Sequence, residues 1–338
     1  MRQLYAGLLV FCLCLTLSCV QKQTQRADFV LGTICSIRFF KELKPELFDE
    51  LFSRLYELDD IFNMNKDNSD IDRINKNAGI QAVPVKKECI ELLSRALYFS
   101  EISSQSNGYA AFDPTIGPLV KLWGIGSDKP RIPSPDEIKE KLSLINWRNI
   151  EINQEEQTVF LTKKGMSLDL GAIAKGYAAD IIAEKIREYG IESAVIDLGG
   201  NIFALGEKPD KNPYKIGIQN PLSPRGDYMV YVETKNKTLV TSGSYERFFE
   251  ENGVRYHHIL STETGYPVDN GLLSVTIIAE NSTDADALST TIYALGFEKG
   301  SALLKTMSGI DAIFIFEDGS LRVTEGAEKI LGKKAKGS

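Results

Sequence analysis

The sequence predicts an α+β fold built as two interlocked lobes, with mixed and antiparallel sheets flanked by helices. Three observations lead there. Amphipathic helices and hairpin-like strand pairs are interspersed, without the strict alternation of a doubly wound sheet. No stretch of linker composition divides the chain. The 338 residues, 43% hydrophobic and 25% charged, suffice for one large domain or two modest ones around an ample core.

The chain opens on a segment outside that fold. Arg2 precedes the apolar run LYAGLLVFCLCLTLSC, which is too short for a comfortable membrane span and ends at Ser18-Cys19. A small residue ahead of a cysteine at the end of such a run resembles a bacterial lipoprotein signal, with Thr16 where leucine is usual. An ordinary secretory signal or an uncleaved anchor is the competing reading. The expected division is a signal peptide over 1–18, a tether over 19–28 with Cys19 as the lipidated N-terminus, and a domain over 29–338. The body would then be exported and held by lipid at the periplasmic face of the bacterial inner membrane. A net charge of −7 speaks against a nucleic-acid partner. With Cys12, Cys14 and Cys19 in the signal and anchor, only Cys35 and Cys89 remain, as small core residues rather than a disulfide framework.

The segment DFVLGTICSIRFF alternates like a strand interrupted at Gly32. Pro45 opens a helix, ELFDELFSRLYELDDIF, in which Leu and Phe recur at three- and four-residue intervals. NMNKDNSDIDRINKNAG reads as a polar loop. A second amphipathic helix runs from about Lys86 to Gln105 and stops near Gly108. AAFDPTIGPLVKLWGIG, rich in Gly and Pro and poor in charge, reads as a packed loop of the kind that lines sites. A hairpin over 150–162 leads to the turn DLGAIAKG and a helix through Tyr189. SAVIDLGGNIFALG is a strand broken at Gly199-Gly200, followed by the short strands YKIGIQN, YMVYVET, TLVTSGS, RYHHIL and SVTIIAE. A last helix starts near Thr283, and DAIFIFEDGSLRVTEG closes as a hairpin with Asp318-Gly319 at its tip.

The stretch from Asp169 to Asp180, DLGAIAKGYAAD, carries the clearest chemistry. Small residues at a turn into a helix let a ligand approach the backbone, and the free N–H groups of a first helical turn favour anions. Lys175 adds a mobile positive charge. These are the parts of a diphosphate seat, without Walker or Rossmann spacing; a helix start that merely packs close to a sheet has the same composition. In TDADALST, Asp286 and Thr290 lie four apart on one helix face, so a carboxylate and a hydroxyl can share one hard cation such as Mg²⁺. Thr283 with Asp286 also fits a capping box. His257 and His258 are the two histidines of the chain and face opposite ways on a strand, so at most one serves a site. No third ligand lies at a zinc spacing. Asp113, held extended by Pro114, reads as a turn cap, and Asn65, Asn201 and Ser242 as polar groups at strand or loop edges.

Their joint order is more specific than any one of them. LGT, FDPTIGPLVKLWGIG, DLGAIAKGYAAD, IDLGGNIFALG, TSGSYERFF, HHIL followed by TGYPV, and ADALST resemble the ApbE-type FAD:protein FMN transferase family from about Phe29 to Gly319. The resemblance implies an ApbE-like fold and transfer of FMN from FAD to a Thr or Ser hydroxyl of a target protein, with release of AMP. It implies FAD contacts from Leu31, Asn65, Ala111, Phe112, Asp113, Asp169, Lys175 and Leu260. It also implies Mg²⁺ held by the Ala172 carbonyl with Asp286 and Thr290, the metal giving Asp286 its catalytic part. His258, matching the second histidine of the family pattern, is the candidate base or orienting group. The implied acceptors are flavoproteins of membrane redox systems.

Three positions depart from the family pattern: Leu31 replaces a methionine, Ser261-Thr262 replace Asp-Pro after HHIL, and Asn65 stands where a tyrosine is common. Loss of an aromatic lid at 65 would open the site to water and add hydrolysis of FAD to FMN and AMP. The competing functions are an FAD pyrophosphatase alone and a non-enzymatic flavin-binding lipoprotein.

Overall fold

The computed structural model describes residues 23–224 and 226–333; the signal segment and Cys19 lie outside them. The first strands, β1 (Thr24–Val30) and β2 (Thr33–Phe39), are joined by a turn in which Leu31 and Gly32 take left-handed φ values of 55° and 69°. Such a turn matches the twist of a hairpin, at a strain for Leu31 of about 1–2 kcal/mol. The folded body therefore begins inside the stretch read as a tether (19–28), because Thr24 to Asp28 pair rung by rung with Phe39 to Cys35. The polar residues of this edge strand hid its alternation.

The helix α1 (Pro45–Phe62) buries Phe48, Leu51, Phe52, Leu55, Leu58 and Phe62 along one stripe. The polar stretch after it is only partly loop. Ser69 accepts the Asp72 N–H at 2.9 Å to start α2 (Asp70–Lys76), anchored by Ile71 and Ile74. Next come β3 (Val83–Pro84) and α3 (Lys87–Ile102). The segment expected to be a packed loop instead folds into a 3₁₀ turn (Pro114–Ile116) and α4 (Gly117–Trp123), which stops at Gly124 in the left-handed region. A further helix, α5 (Pro135–Leu142), starts on a capping box of Ser134 and Glu137.

The expected hairpin forms as β4 (Ile150–Asn153) and β5 (Thr158–Leu161), and α6 (Ala174–Glu188) leads to β6 (Ser193–Leu198) and β7 (Asn201–Gly206). After them come β8 (Tyr214–Gln219), β9 (Tyr228–Thr234), β10 (Lys237–Gly243), β11 (Phe248–Glu251), β12 (Val254–His257) and β13 (Leu272–Ala279). The chain closes with α7 (Ser282–Leu304), β14 (Asp311–Phe316), β15 (Leu321–Val323), α8 (Glu325–Glu328) and β16 (Leu331–Lys333).

Eight strands make one antiparallel sheet in the order β1-β2-β6-β7-β10-β13-β14-β15. The sheet of β8, β9 and β16 covers one face through Ile218, Val232, Ile278, Ile313 and Ile315. Helices α1, α3, α6 and α7 cover the other, with Leu55, Leu92, Ile182 and Leu288 against Ile277 and Phe314. Burial on both faces is why β13 and β14 are apolar at consecutive positions rather than alternating. A separate cluster of Leu119, Trp123, Ile138, Ile145 and Leu260 is the core of a smaller lobe made of α4, α5 and the β11–β12 hairpin. That hairpin pairs with no other strand among the described residues. Within those residues no helix is long and apolar enough to cross a membrane.

Candidate active site

The site is built where the N-termini of α6 and α7 meet. Gly176 lies in the first turn of α6, and a Cβ there would overlap the Ser282 carbonyl oxygen and come within 2.7 Å of the Asp286 Cβ. Without a side chain at 176 the helices close on each other, and the Gly176 N–H donates to Asp286 Oδ2 at 2.8 Å. In an uninterrupted helix that N–H would bond the carbonyl four residues back, that of Ala172; here Asp286 takes it instead. The carboxylate, buried, thus serves the positive end of α6, whose own first turn has no acidic residue.

The capping-box reading of Thr283 and Asp286 does not hold. Asn281 Oδ1 caps α7 by accepting the Asp284 N–H at 2.8 Å, and Asp180 accepts the Ser282 and Thr283 N–H groups, both at 2.8 Å. Asp180 also accepts the Thr283 hydroxyl at 2.7 Å. Burial raises its carboxyl above the ordinary range, and these donors oppose the rise. Asp286 is thereby left to the site. One turn on, the Thr290 hydroxyl lies 3.1 Å from the Ser242 hydroxyl, which also reaches Ser289 Oγ at 2.8 Å.

Lys175 folds back over this turn. Its ammonium donates to the Gly171 carbonyl at 2.9 Å and lies 3.6 Å from Asp286 Oδ1. Asp169 Oδ1 accepts the Gly171 N–H at 2.8 Å and shapes the same turn; its N–H donates to the Pro114 carbonyl at 2.8 Å, tying the turn to the smaller lobe. Burial raises the Asp169 carboxyl, while Gly171, Lys175 and Arg247 favour its charged form.

The histidines separate as expected for strand neighbours. His257 is buried: its Nε2 lies 2.9 Å from the Val268 carbonyl, its Nδ1 accepts the Ile259 N–H at 3.3 Å, and its ring meets Tyr293 edge-on. It is a structural group, its pKa lowered by burial. His258 is half-buried, with Nδ1 at 3.2 Å from the Arg247 carbonyl. A carbonyl only accepts, so Nδ1 carries the proton and Nε2 is the basic end. Burial, then the Arg247 charge, push this imidazole down to about 4, so it is neutral at pH 7. Arg247 is the residue that sequence reasoning missed, although it is a cation within the quoted motif TSGSYERFF.

The segment between α3 and α4, together with the chain after His258, carries further residues of the predicted set. The Ala111 N–H donates to the Ser103 carbonyl at 3.2 Å and the Phe112 N–H to Ser103 Oγ at 3.1 Å, while the Phe112 ring packs on Phe99. Asp113 is fully engaged. Oδ1 accepts the Thr115 N–H and hydroxyl at 2.8 and 2.6 Å, and Oδ2 accepts the Trp147 N–H at 3.0 Å, so its side chain caps the turn. Burial nonetheless raises its carboxyl. Thr262, one of the departures from the family pattern, donates to the Ala110 carbonyl at 2.6 Å and staples this segment to the chain after His258. Leu260 is buried in the smaller core. Leu31 sits at the strained β1–β2 turn on the edge of the main core, and Asn65 is exposed in the turn after α1, its N–H on Asn63 Oδ1 at 2.9 Å. Among the described residues these two stand apart from the hydrogen-bonded set.

The family model of the ApbE family matches residues 31–314. The chain belongs to the ApbE family. An FAD:protein FMN transferase of Treponema pallidum is 40% identical over 342 residues, covering 95% of this chain and 93% of the relative. A second, from Klebsiella pneumoniae, is 38% identical over 271 residues, covering 79% and 82%. The crystal structure of the ApbE protein from Thermotoga maritima superposes with a TM-score of 0.83 at 32% identity, over 93% of this chain and 100% of that one. The flavin transferase ApbE from Vibrio cholerae gives 0.81 at 25% identity, over 91% and 99%. The α+β architecture read from the sequence is that of these proteins.

The donor set at the α6–α7 junction fits a hard cation. Asp286, the Thr290 hydroxyl and the Ala172 carbonyl are all oxygen donors, the kind Mg²⁺ takes together with water and substrate phosphate. Among the described residues no group of three or more His, Cys, Asp or Glu side chains converges, so any cation here depends on the hydroxyl and the carbonyl as well.

Proposed function

We propose that this chain transfers FMN from FAD to a Thr or Ser hydroxyl of a target protein and releases AMP, with Mg²⁺ held by Asp286, Thr290 and the Ala172 carbonyl. The observation that carries the reading is the buried Asp286 carboxylate seated on the Gly176 N–H, beside the Lys175 ammonium and one turn from Thr290. Bound there, the metal neutralises diphosphate charge and stabilises the leaving phosphate. The first turn of α6 and Lys175 hold the diphosphate, and Arg247 adds positive charge beside His258. His258 Nε2 takes the proton of the acceptor hydroxyl as its oxygen bonds to the FMN phosphorus and the bond to the AMP phosphate breaks. Diphosphate charge beside the ring would raise its basicity above that low value.

The test mixes the chain with FAD, Mg²⁺ and a flavoprotein acceptor and looks for flavin fluorescence on the acceptor in a denaturing gel. Fluorescence that disappears in Asp286→Ala supports the reading; persistent fluorescence in that variant overturns it. Exposed Asn65 provides no aromatic cover, so water competes with the acceptor and FAD is also hydrolysed to FMN and AMP. Asn65→Tyr should lower AMP release measured without acceptor, and an unchanged rate rejects the hydrolysis branch. Export and lipidation at Cys19 complete the proposal. Four residues separate Cys19 from Thr24, which would keep the body close to the bilayer and to acceptors of membrane redox systems. Mass spectrometry of the mature N-terminus tests it.

A further inference from the structure

We infer that Lys175 is a tethered stand-in for the divalent cation: its ammonium and the metal compete for Asp286, and metal loading frees Lys175 to turn to the nucleotide. This rests on the metal reading above.

The placement of the ammonium is the first ground. Lys175 lies in the first turn of α6, at the positive end of the helix dipole, where a cation is electrostatically disfavoured. It stays because two oxygens hold it, Gly171 O at 2.9 Å and Asp286 Oδ1 at 3.6 Å. The second ground is the division of Asp286. Oδ2 is committed to the Gly176 N–H at 2.8 Å, so Oδ1 is the atom left to meet a cation, and that atom is the one facing Lys175. One oxygen confronts both charges. The third is reach. The Lys175 side chain is 23% exposed and that of Asp286 5%, so the ammonium sits at the mouth and the carboxylate at the floor. The four-carbon stem lets the ammonium swing outward without moving α6.

The exchange replaces one positive charge by two and sends the displaced one toward the anion to be bound. Without metal, Lys175 spares a buried carboxylate from standing unpaired. With metal, its contact with Asp286 becomes repulsive toward the new ion, and a diphosphate is the remaining anionic partner. By linkage, metal and nucleotide then strengthen each other's binding through this one side chain.

The test uses the full chain in detergent without FAD, with Mn²⁺ as a spin probe and Mg²⁺ for NMR of lysine labelled at Cε. Lys175→Met should bind Mn²⁺ roughly five- to ten-fold more tightly than the unaltered chain, because no resident cation has to leave. The Lys175 resonance, identified by its loss in that variant, should shift with Mg²⁺ at the same midpoint as metal binding and shift again on adding FAD. Asp286→Asn should move the same resonance without metal. Mn²⁺ affinity within two-fold in Lys175→Met, or a Lys175 resonance that ignores Mg²⁺, overturns the exchange while leaving the metal site standing. Mn²⁺ binding that is absent, or indifferent to Asp286→Asn, overturns the metal reading and this inference with it. The Mg²⁺ titration of the Lys175 resonance is read on the unaltered protein, so a folding defect in a variant cannot by itself decide the matter.

Discussion

The floor and the wall of the site are made differently. The floor is two helix N-termini pressed together by the bare Gly176, backed by the main core and cross-linked by Asp180 and Asp286. The wall is chain outside regular strands that bridges two cores: Phe112 packs on Phe99 in the main core, Leu260 and Trp123 belong to the smaller one, and contacts such as Thr262 to Ala110 and Trp123 to Gly265 join the segments. Charge is fixed where the packing is rigid, and shape is supplied where the packing is local. The same division suits a site that must hold a diphosphate firmly while accepting a protein surface beside it.

Three substitutions test that contrast. Asp286→Ala removes the floor carboxylate that faces Lys175 and should cut FMN transfer by on the order of 10³ or more, measured as labelled acceptor over time. Gly176→Ala forces a methyl group against backbone and should cost about 1–3 kcal/mol in denaturant unfolding, together with much of the transfer activity. If stability is unchanged there, the floor is softer than the packing says. Thr262→Val leaves the buried Ala110 carbonyl without its donor at about 1 kcal/mol, and should raise the KM for FAD more than it lowers kcat. An equal or larger fall in kcat would place Thr262 with the floor and break the contrast.

The smallest effect is the pH response. His258 sits at about 4 in the fold against an ordinary 6.5, so the unfolded chain binds the extra proton first as pH falls. The stability linked to its neutral ring is fully present above pH 6.5 and is lost progressively between 6.5 and 4. His257 acts in the same direction. The raised carboxyls of Asp113, Asp169 and Asp180 act oppositely at the acid end, because the folded state binds their protons first. His258→Asn should therefore flatten the fall in Tm between pH 7 and 5; an unaltered slope would show that the ring is not held neutral.

Long periodic elements were legible in the chain. α1 and α3 repeat their apolar residues over several turns, and the closing hairpin β14–β15 carries Asp318-Gly319 at its tip, so pattern alone places them, whereas β1–β2 and β6–β7 read as single strands broken at glycine. The short helices were not. α2 and α4 have seven residues each and α5 eight, too few turns for a period to emerge, and α4 lies within Gly- and Pro-rich sequence. β1 was hidden by polar residues on a sheet edge. At the site, the turn around Lys175 and the pair Asp286–Thr290 could be read because each is local. Asp180 reaches 102 residues to Ser282 and Thr262 reaches 152 to Ala110, and no spacing in one chain announces such contacts. The capping-box ambiguity at Asp286 was likewise settled only by the partner helix.

The obstacle facing any side chain at position 176 is a main-chain oxygen, which every amino acid at 282 would carry. No compensating replacement at that neighbour can make room. Variation at 176 has no short mutational escape, since relief requires sliding one helix along the other and dragging Asp286 with it. A suppressor screen on Gly176→Ala should accordingly yield changes in the inter-helix contacts or nothing, and never a change at 282 alone.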